Sequence, residues 1–427
     1  MTGSIASSLS AVLSPDTKIV GWEEELESDR DNIANAIAGP PPECFVYPRD
    51  SDTLSKLVRL ADENRWPLLI QGAGSKIHWG GAVNSPRIVV CTRELSRVIE
   101  HAVGDLVITV EAGMTLRDLQ EFLAPSRQFF PVDPSYSTRA TIGGIMATAD
   151  AGPWRQRYGG VRDLILGFSF VRHDGAIAKG GGRVVKNVAG YDMMKLFTGS
   201  YGTLGILSEV SLRLFPMNED SETLLVTGDG ESIAKISQTM RQSGLTPTAA
   251  EILTSGAVKA LESTGAIALL IRFESIPESI AEQGKQITEI AGQLHCSIVR
   301  YRRENERELW QRYRNMMDIP SRSAANFCKI GVLPSALGSI VPSLDGIGSI
   351  NIASGIGKLI TDREIAKIRS LCEMNSGYLS VLSAPKSAKE TIEPWGYKGN
   401  AFEIMKTLKN KFDPNRIFNP DRFINKL

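Results

Sequence analysis

The sequence predicts an α+β protein with more than one core, and three observations carry that expectation. The chain has 427 residues, enough to bury two domains. Through its first half, short apolar runs alternate with amphipathic segments, and several runs end in glycine-rich loops. From Ser221 onward those loops cease. Strand-like runs separated by longer helical patterns then predict an antiparallel sheet with helices on one face, ferredoxin-like in organisation.

Pro40, Pro41 and Pro42 end an N-terminal arm, read as disordered or as a docking segment, and Cys44 to Pro48 is the first strand. Between Thr53 and Asn64, the residues Leu54, Leu57, Val58 and Ala61 form the stripe of an amphipathic helix, with a cap near Ser51 or Asp52. Pro67 to Ile70, Arg87 to Cys91 and Leu106 to Val110 are strands, and Thr115 to Leu123 is a helix. Leu164 to Val171, followed by His173, Asp174 and Gly175, is a strand with a hairpin turn. Later strands are expected at Leu224 to Val226, Ala266 to Phe273, Cys296 to Tyr301 and Cys328 to Leu333. Helices are expected at Ser232 to Arg241, Ile276 to Leu294, Asn305 to Met317, Arg363 to Cys372 and Ala401 to Lys411. The run RYRRENERELWQRYR interleaves its cations with glutamates and pairs Glu308 with Arg312 at i, i+4; it reads as a solvated helix face or a partner surface.

Three glycine-rich stretches stand out. The strand ending at Ile70 runs into Gln71-Gly72-Ala73-Gly74-Ser75-Lys76. Such a turn can hold a diphosphate in a nest of main-chain N–H groups, with a lysine balancing charge, or it can be a tight strand exit. Ile77 occupies the last glycine's place of a G-x-G-x-x-G, and the loop is not a Walker A sequence. Thr141-Ile142-Gly143-Gly144, followed by Ala147, Thr148 and Ala149, is a helix start pressed by a flat ligand, or close helix–sheet packing. Lys179 to Leu207 opens with three consecutive glycines and closes with Gly199, Gly202 and Gly205, around an apolar run from Val188 to Phe197. Together the three loops point to one long ligand lying against main chain.

Lys plus Arg equals Asp plus Glu at 48 each, so no global field selects nucleic acid or an anionic membrane. The five cysteines, Cys44, Cys91, Cys296, Cys328 and Cys372, form no CxxC pair, which argues against a disulfide framework or zinc site and fits a reducing cytosol. The apolar runs are too short to cross a bilayer, and the N-terminus lacks a signal-peptide pattern.

In combination, the strand-QGAGSK loop, TIGG, YGGVRD and KNVAGYDMMKLFTGSYGTLGI resemble the FAD domain of the vanillyl-alcohol-oxidase type, also called PCMH-type. KNVAGYD, FTGSYGTLGILSEV and the C-terminal FDPNRIFNPDRF are most similar to the FAD-binding E subunit of bacterial glycolate oxidase. The resemblance covers residues 41–217 and the C-terminal stretch, and is thinner between them. It implies an arm at 1–40, a PCMH-type FAD-binding domain of two α+β subdomains at 41–218, an α+β capping domain at 219–400 and a segment at 401–427 that returns to the FAD domain. Carried over by residue, it implies Gln71, Gly72, Ala73, Gly74, Ser75 and Lys76 at the pyrophosphate. Pro134, Ser135, Thr141, Gly143, Gly144 and Thr148 would line the ribityl chain and flavin ring, and Gly202, Gly205 and Ile206 the adenine end. Lys186 is either a cation beside the flavin pyrimidine ring or an exposed lysine near a helix start. Asn187 and Asp192 read as helix caps. Arg155, Arg157 and Arg162, clustered with Tyr158, are solvated loop arginines or a clamp for a carboxylate or phosphate.

Two departures qualify the resemblance. Relatives place TNAGG after the double glycine, whereas Thr148 here is followed by Ala149-Asp150-Ala151-Gly152, which weakens those four as flavin contacts. Ser75 and Lys76 stand where a linking histidine would be, implying non-covalent FAD, and His78 reads as structural. Related catalytic subunits carry a histidine-rich cluster in the cap as base and metal ligands. Of the four histidines here, His78, His101, His173 and His295, only His295 falls in the cap region, so no metal site and no catalytic base is evident; Tyr191, Tyr378 and Lys186 are weak candidates. The resemblance therefore implies an FAD-binding subunit of a glycolate oxidase (glycolate dehydrogenase) complex, with a sister flavoprotein and an iron–sulfur subunit. It would be cytoplasmic, or peripheral to the inner membrane through that complex, without membrane insertion or nucleic acid. The alternatives are a self-sufficient FAD-dependent 2-hydroxy acid (D-lactate-like) dehydrogenase and a non-catalytic flavin-binding scaffold.

Overall fold

The computed structural model describes residues 4–182, 191–262, 267–318, 323, 325–385, 388 and 391–427. The chain divides into two compact units. The first comprises Met1–Asp150, Gly160–Pro216 and Tyr397–Leu427; the second comprises Ala151–Gly159 and Met217–Gly396.

In the first unit, the strands Lys18–Gly21, Cys44–Tyr47, Ile88–Cys91 and Leu68–Gln71 lie side by side in that order, the first pair antiparallel and the others parallel. The parallel strands are near-continuous apolar runs because both faces are covered. Leu54, Leu57, Val58 and Ala61 of the helix Ser51–Glu63 pack with Cys44, Val46, Leu68, Ile88 and Val90, while Phe45, Tyr47, Leu69 and Val89 pack with Ile33 and Val83. The helix is capped by Asp50, whose side chain accepts the Thr53 N–H at 2.7 Å, so the cap falls just ahead of the expected Ser51 or Asp52.

From residue 4 on, the N-terminal arm is folded, which corrects the expectation of a disordered segment. The helix Ile5–Val12 buries Ile5 and Leu9, with Leu13 after it, in the same core, and Lys18–Gly21 joins the sheet. The three apolar side chains recur every fourth residue, one helical face, but serine and alanine between them blur the stripe.

A second, antiparallel sheet of the first unit orders Ile177–Gly181, Ile165–Val171, Ile206–Arg213, Val107–Glu111 and Val98–Ala102. Of the run expected as a helix from Val188 to Phe197, Met193–Phe197 is helical; residues 183–190, with Lys186 and Asn187, lie outside the described residues.

The second unit holds one eight-stranded antiparallel sheet. Its order is Ser297–Arg302, Asp220–Gly228, Ile267–Ser275, Ala249–Leu253, Ile347–Asn351, Ile356–Thr361, Asn326–Gly331, Tyr378–Ser383. Each half, counted from its outer edge, runs 4-1-3-2 in chain order, the strand order of a βαββαβ ferredoxin-like unit. The halves join where Glu251 pairs with Asn351. Helices Gly230–Gln242, Pro277–Gln293 and Ile365–Met374 pack on one face through Ile233, Ile236, Ile287 and Ile368. Ser255–Glu262 and Arg303–Met317 cover part of the other through Val258, Leu261, Leu309 and Trp310, so helices are not confined to one face as expected. Consecutive apolar residues such as Leu224, Leu225 and Val226 demand cover on both sides. Arg312, expected opposite Glu308, instead donates to the Leu261 carbonyl at 2.6 Å and to Glu262 at 3.1 Å. No helix of the described residues is long and apolar enough to cross a membrane.

Candidate cofactor-binding site

The three glycine loops meet around one cavity of the first unit, partly open to solvent. Gln71, Gly72, Ala73, Gly74, Ser75 and Lys76 line it from the first loop, Thr141, Gly143, Gly144 and Thr148 from the second, and Gly202, Gly205 and Ile206 from the third. Pro134 and Ser135 are not part of that wall, and Lys186 is outside the described residues. Ala147, named in the second stretch, also lines it, as do Thr92, Ala112, Tyr201 and Arg422, which were not singled out as site residues from the sequence.

The first loop leaves the strand Leu68–Gln71 and turns through Gly74 at φ +69°. Among the described residues, the N–H groups of Ala73, Gly74 and Ser75 donate to no protein acceptor. Successive unsatisfied N–H groups around a left-handed glycine form an anion-binding concavity. Gly72 is fixed by contact: a Cβ there would stand 2.1 Å from Thr141 Oγ1. That oxygen accepts the Gly144 N–H at 3.2 Å and caps the helix Ile142–Thr148. Gly143 lines the cavity and also packs on Ala112, whose Cβ would be 2.9 Å from an added one.

The third loop is joined to that helix by hydrogen bonds from Gly199 N–H to the Met146 carbonyl (3.0 Å) and from Tyr201 N–H to the Ala147 carbonyl (2.9 Å). Gly202 and Gly205 take φ values of +70° and +157°, which side chains oppose.

Lys76 faces the cavity, yet its ammonium lies 3.2 Å from the buried Asp150 carboxylate and 5.5 Å from the centre of the Trp79 ring. The same carboxylate accepts the Ser135 N–H at 2.9 Å. Lys76 is thus balanced within the protein, and Asp150, from the segment that departs from TNAGG, ties the second loop to the first.

The C-terminal segment closes the wall. Lys409 and Asp413 form a buried ion pair at 2.5 Å, and Lys409 also donates to the carbonyls of Thr203 (2.8 Å) and Phe418 (3.0 Å). Asn419, at φ +42°, donates to the Tyr201 carbonyl and accepts the Ile70 N–H, each at 2.8 Å. Arg422 is 3% exposed and donates to the carbonyls of Ile77 and, at 3.1 Å, Trp79. Burial pulls its pKa down to about 10, with Tyr201 opposing.

The second unit has its own buried polar group at the seam of the sheet. Glu251 accepts from Ser349 Oγ (2.8 Å) and Asn351 Nδ2 (3.1 Å); Asn351 also donates to Gln156 (3.0 Å), and the Tyr313 hydroxyl bonds Ser349 (2.8 Å). Burial pushes the Glu251 carboxyl up to about 7, against the stabilising pull of Asn351, Ser349, Arg155 and Lys358. Of the expected clamp arginines, Arg157 donates to the Thr246 carbonyl at 3.3 Å, and Arg162, in the first unit, pairs with Asp192. Asp192 caps Met193–Phe197 by accepting the Lys195 N–H at 3.2 Å. His295 is exposed, and among the described residues no three His, Cys, Asp or Glu are grouped as a metal would need.

Residues 42–181 match the family model described as FAD binding domain, and residues 391–423 the one described as FAD linked oxidases, C-terminal domain. FAD is the cofactor of this chain. The unsatisfied N–H groups, the left-handed glycines and the cavity they share suit FAD, and the class of chemistry is that of the FAD-dependent oxidoreductases. The fold is the PCMH type: 4-ethylphenol oxidase from Gulosibacter chungangensis superposes with a TM-score of 0.73 at 15% identity, covering 98% of this chain and 96% of that one. D-lactate dehydrogenase of Archaeoglobus fulgidus is 26% identical over 413 residues, 90% of this chain and 91% of its own. Glycolate oxidase subunit GlcE of Escherichia coli is 38% identical over 176 residues, 41% of this chain and 49% of its own. Subunit GlcD of Bacillus subtilis is 33% identical over 184 residues, 43% of this chain and 39% of its own. The chain therefore spans less than half the length of either glycolate oxidase subunit it matches.

Proposed function

We propose that the protein is an FAD-dependent oxidoreductase of 2-hydroxy acids and, within that class, the FAD-binding subunit of a glycolate oxidase complex. It would serve the oxidation of glycolate to glyoxylate beside a sister flavoprotein and an iron–sulfur subunit, in the cytoplasm or at the inner membrane through that complex. The observation that carries the subunit reading is the stretch 38% identical to GlcE.

Bound FAD supplies a hydride acceptor. The chain's own residues do the holding. The N–H groups of Ala73, Gly74 and Ser75 meet the diphosphate; Thr141, Gly143, Gly144 and Thr148 present backbone and small side chains to the ribityl chain and flavin ring. Gly202, Gly205 and Ile206 receive the adenine end. The Lys76–Asp150 pair and Asn419 keep the loops in register.

Oxidising a hydroxy acid also requires a base for the hydroxyl proton. Glu251 has both carboxylate oxygens engaged, Tyr191 is 94% exposed, and His295 is on the surface. A base worth about a hundredfold to ten-thousandfold in rate is accordingly assigned to the sister flavoprotein. A second reading, a self-sufficient D-lactate-like dehydrogenase, is favoured by the alignment with the Archaeoglobus enzyme over 91% of its length. Purifying the chain from its own cell extract and counting flavin and iron separates the two. Iron and a second flavoprotein in fixed ratio support the complex; a flavin-loaded chain without either supports the second reading.

A further inference from the structure

We infer that Arg422 is the cation that meets the FAD diphosphate, and that FAD binding is therefore coupled to docking of the C-terminal segment. The inference is independent of the substrate.

Only Lys76 and Arg422 are charged among the described residues that line the cavity, and no carboxylate joins them. A diphosphate brings two negative charges to that wall. Lys76 is offset by Asp150 at 3.2 Å. Arg422 donates to the carbonyls of Ile77 and Trp79. Those carbonyls follow directly on the nest of Ala73, Gly74 and Ser75, so the guanidinium is anchored beside the N–H groups suited to phosphate oxygens. Burial disfavours its charge, and an anion arriving in the cavity reverses that cost.

The backbone fixes Arg422 in place. Gly81 N–H donates to the Arg422 carbonyl at 3.0 Å, and a Cβ on Gly81 would fall 2.9 Å from the carbonyl oxygens of Asp421 and Arg422. Upstream, Asn84 N–H donates to the Pro420 carbonyl (3.0 Å) and Leu68 N–H to the Ile417 carbonyl (2.7 Å). The segment that carries Arg422 is thus stitched to the strand that feeds the first loop, at Leu68, and to the chain that follows the loop, at Gly81 and Asn84. A ligand that binds Arg422 only when this segment is docked must stabilise the docking by linkage.

The test titrates FAD into the deflavinated chain, following flavin fluorescence, for the wild type, Arg422→Lys, Arg422→Met and Lys76→Met. Arg422→Met should weaken FAD about ten- to a hundredfold, the worth of a hydrogen bond to a charged group. Arg422→Lys should lose less, and the salt dependence of FAD affinity should flatten in Arg422→Met but not in Lys76→Met. A folded Arg422→Met chain that binds FAD within about twofold of wild type would overturn the inference and leave Arg422 as a clamp on the Ile77 and Trp79 carbonyls. Hydrogen exchange of residues 413–423 in the wild-type chain decides the matter even where Arg422→Met does not fold. FAD should slow that exchange and riboflavin, which lacks the diphosphate, should not. Equal protection with and without FAD contradicts the coupling.

Discussion

The side-chain oxygen of Asn419 accepts the backbone N–H of Ile70 at 2.8 Å, joining the end of the chain to the strand that feeds the first glycine loop. Its amide donates to the Tyr201 carbonyl, so one buried side chain spaces the first loop from the third. Asparagine also tolerates the left-handed backbone found there, φ +42°. Asn419→Ala leaves the half-buried Ile70 N–H and the buried Tyr201 carbonyl without these partners, a cost of roughly 1–3 kcal/mol for the buried group. The urea midpoint should fall and FAD should dissociate faster. Unchanged values of both would mean the loops are spaced by other contacts.

Gly74→Glu should abolish FAD binding in a folded chain. The substitution puts a side chain on a φ of +69° and a carboxylate where the diphosphate belongs. Flavin absorbance that survives in the purified variant removes the diphosphate from this loop.

FAD should leave the protein on acid precipitation. Neither a histidine nor a cysteine is among the described residues lining the cavity, and Ser75 and Lys76 occupy the usual linking position. The measurement is flavin absorbance in supernatant and pellet; yellow retained in the pellet would establish a covalent link.

The first glycine loop and the parallel strands were legible in the sequence for physical reasons. Gly72 has no space for a side chain against Thr141, and Cys44–Tyr47 is apolar throughout because both of its faces are covered. Less legible were elements whose signal is tertiary. The strands Ile347–Asn351 and Ile356–Thr361 are built around Gly348, Ser349 and Gly357, and a Cβ on Gly357 would stand 2.3 Å from the Ser349 carbonyl oxygen. Small residues chosen for that approach look like a loop. Ala249–Leu253 carries Glu251 at its centre, and a lone glutamate in five residues does not announce a buried strand. Arg422 follows Asn419-Pro420-Asp421, the end of a turn, and only the fold buries it. Asp150 was hidden in a departure from the family pattern, yet it pairs with Lys76.

Glu251 should make the second unit less stable as pH rises. Its carboxyl moves from 4.5 to about 7 on burial. Below the unfolded value both states hold the proton; between the two values only the folded state does, so stability falls with pH until the folded group ionises. A gap of that size corresponds to ~3 kcal/mol. Urea unfolding of the wild type, followed at several pH values across this window, should show the loss, and Glu251→Gln should flatten it. Identical pH profiles for the two proteins would place the titration elsewhere.

The central claim is that this chain holds FAD for hydroxy acid oxidation but needs a sister flavoprotein to perform it. The most direct measurement is anaerobic stopped-flow absorbance of the isolated, FAD-loaded chain mixed with glycolate and with D-lactate. With neither acid should the flavin bleach at a useful rate, although dithionite should reduce it. Adding the sister flavoprotein and the iron–sulfur subunit should then allow glycolate to reduce a dye. Rapid bleaching by either acid with no partner present would contradict the account and establish the self-sufficient dehydrogenase.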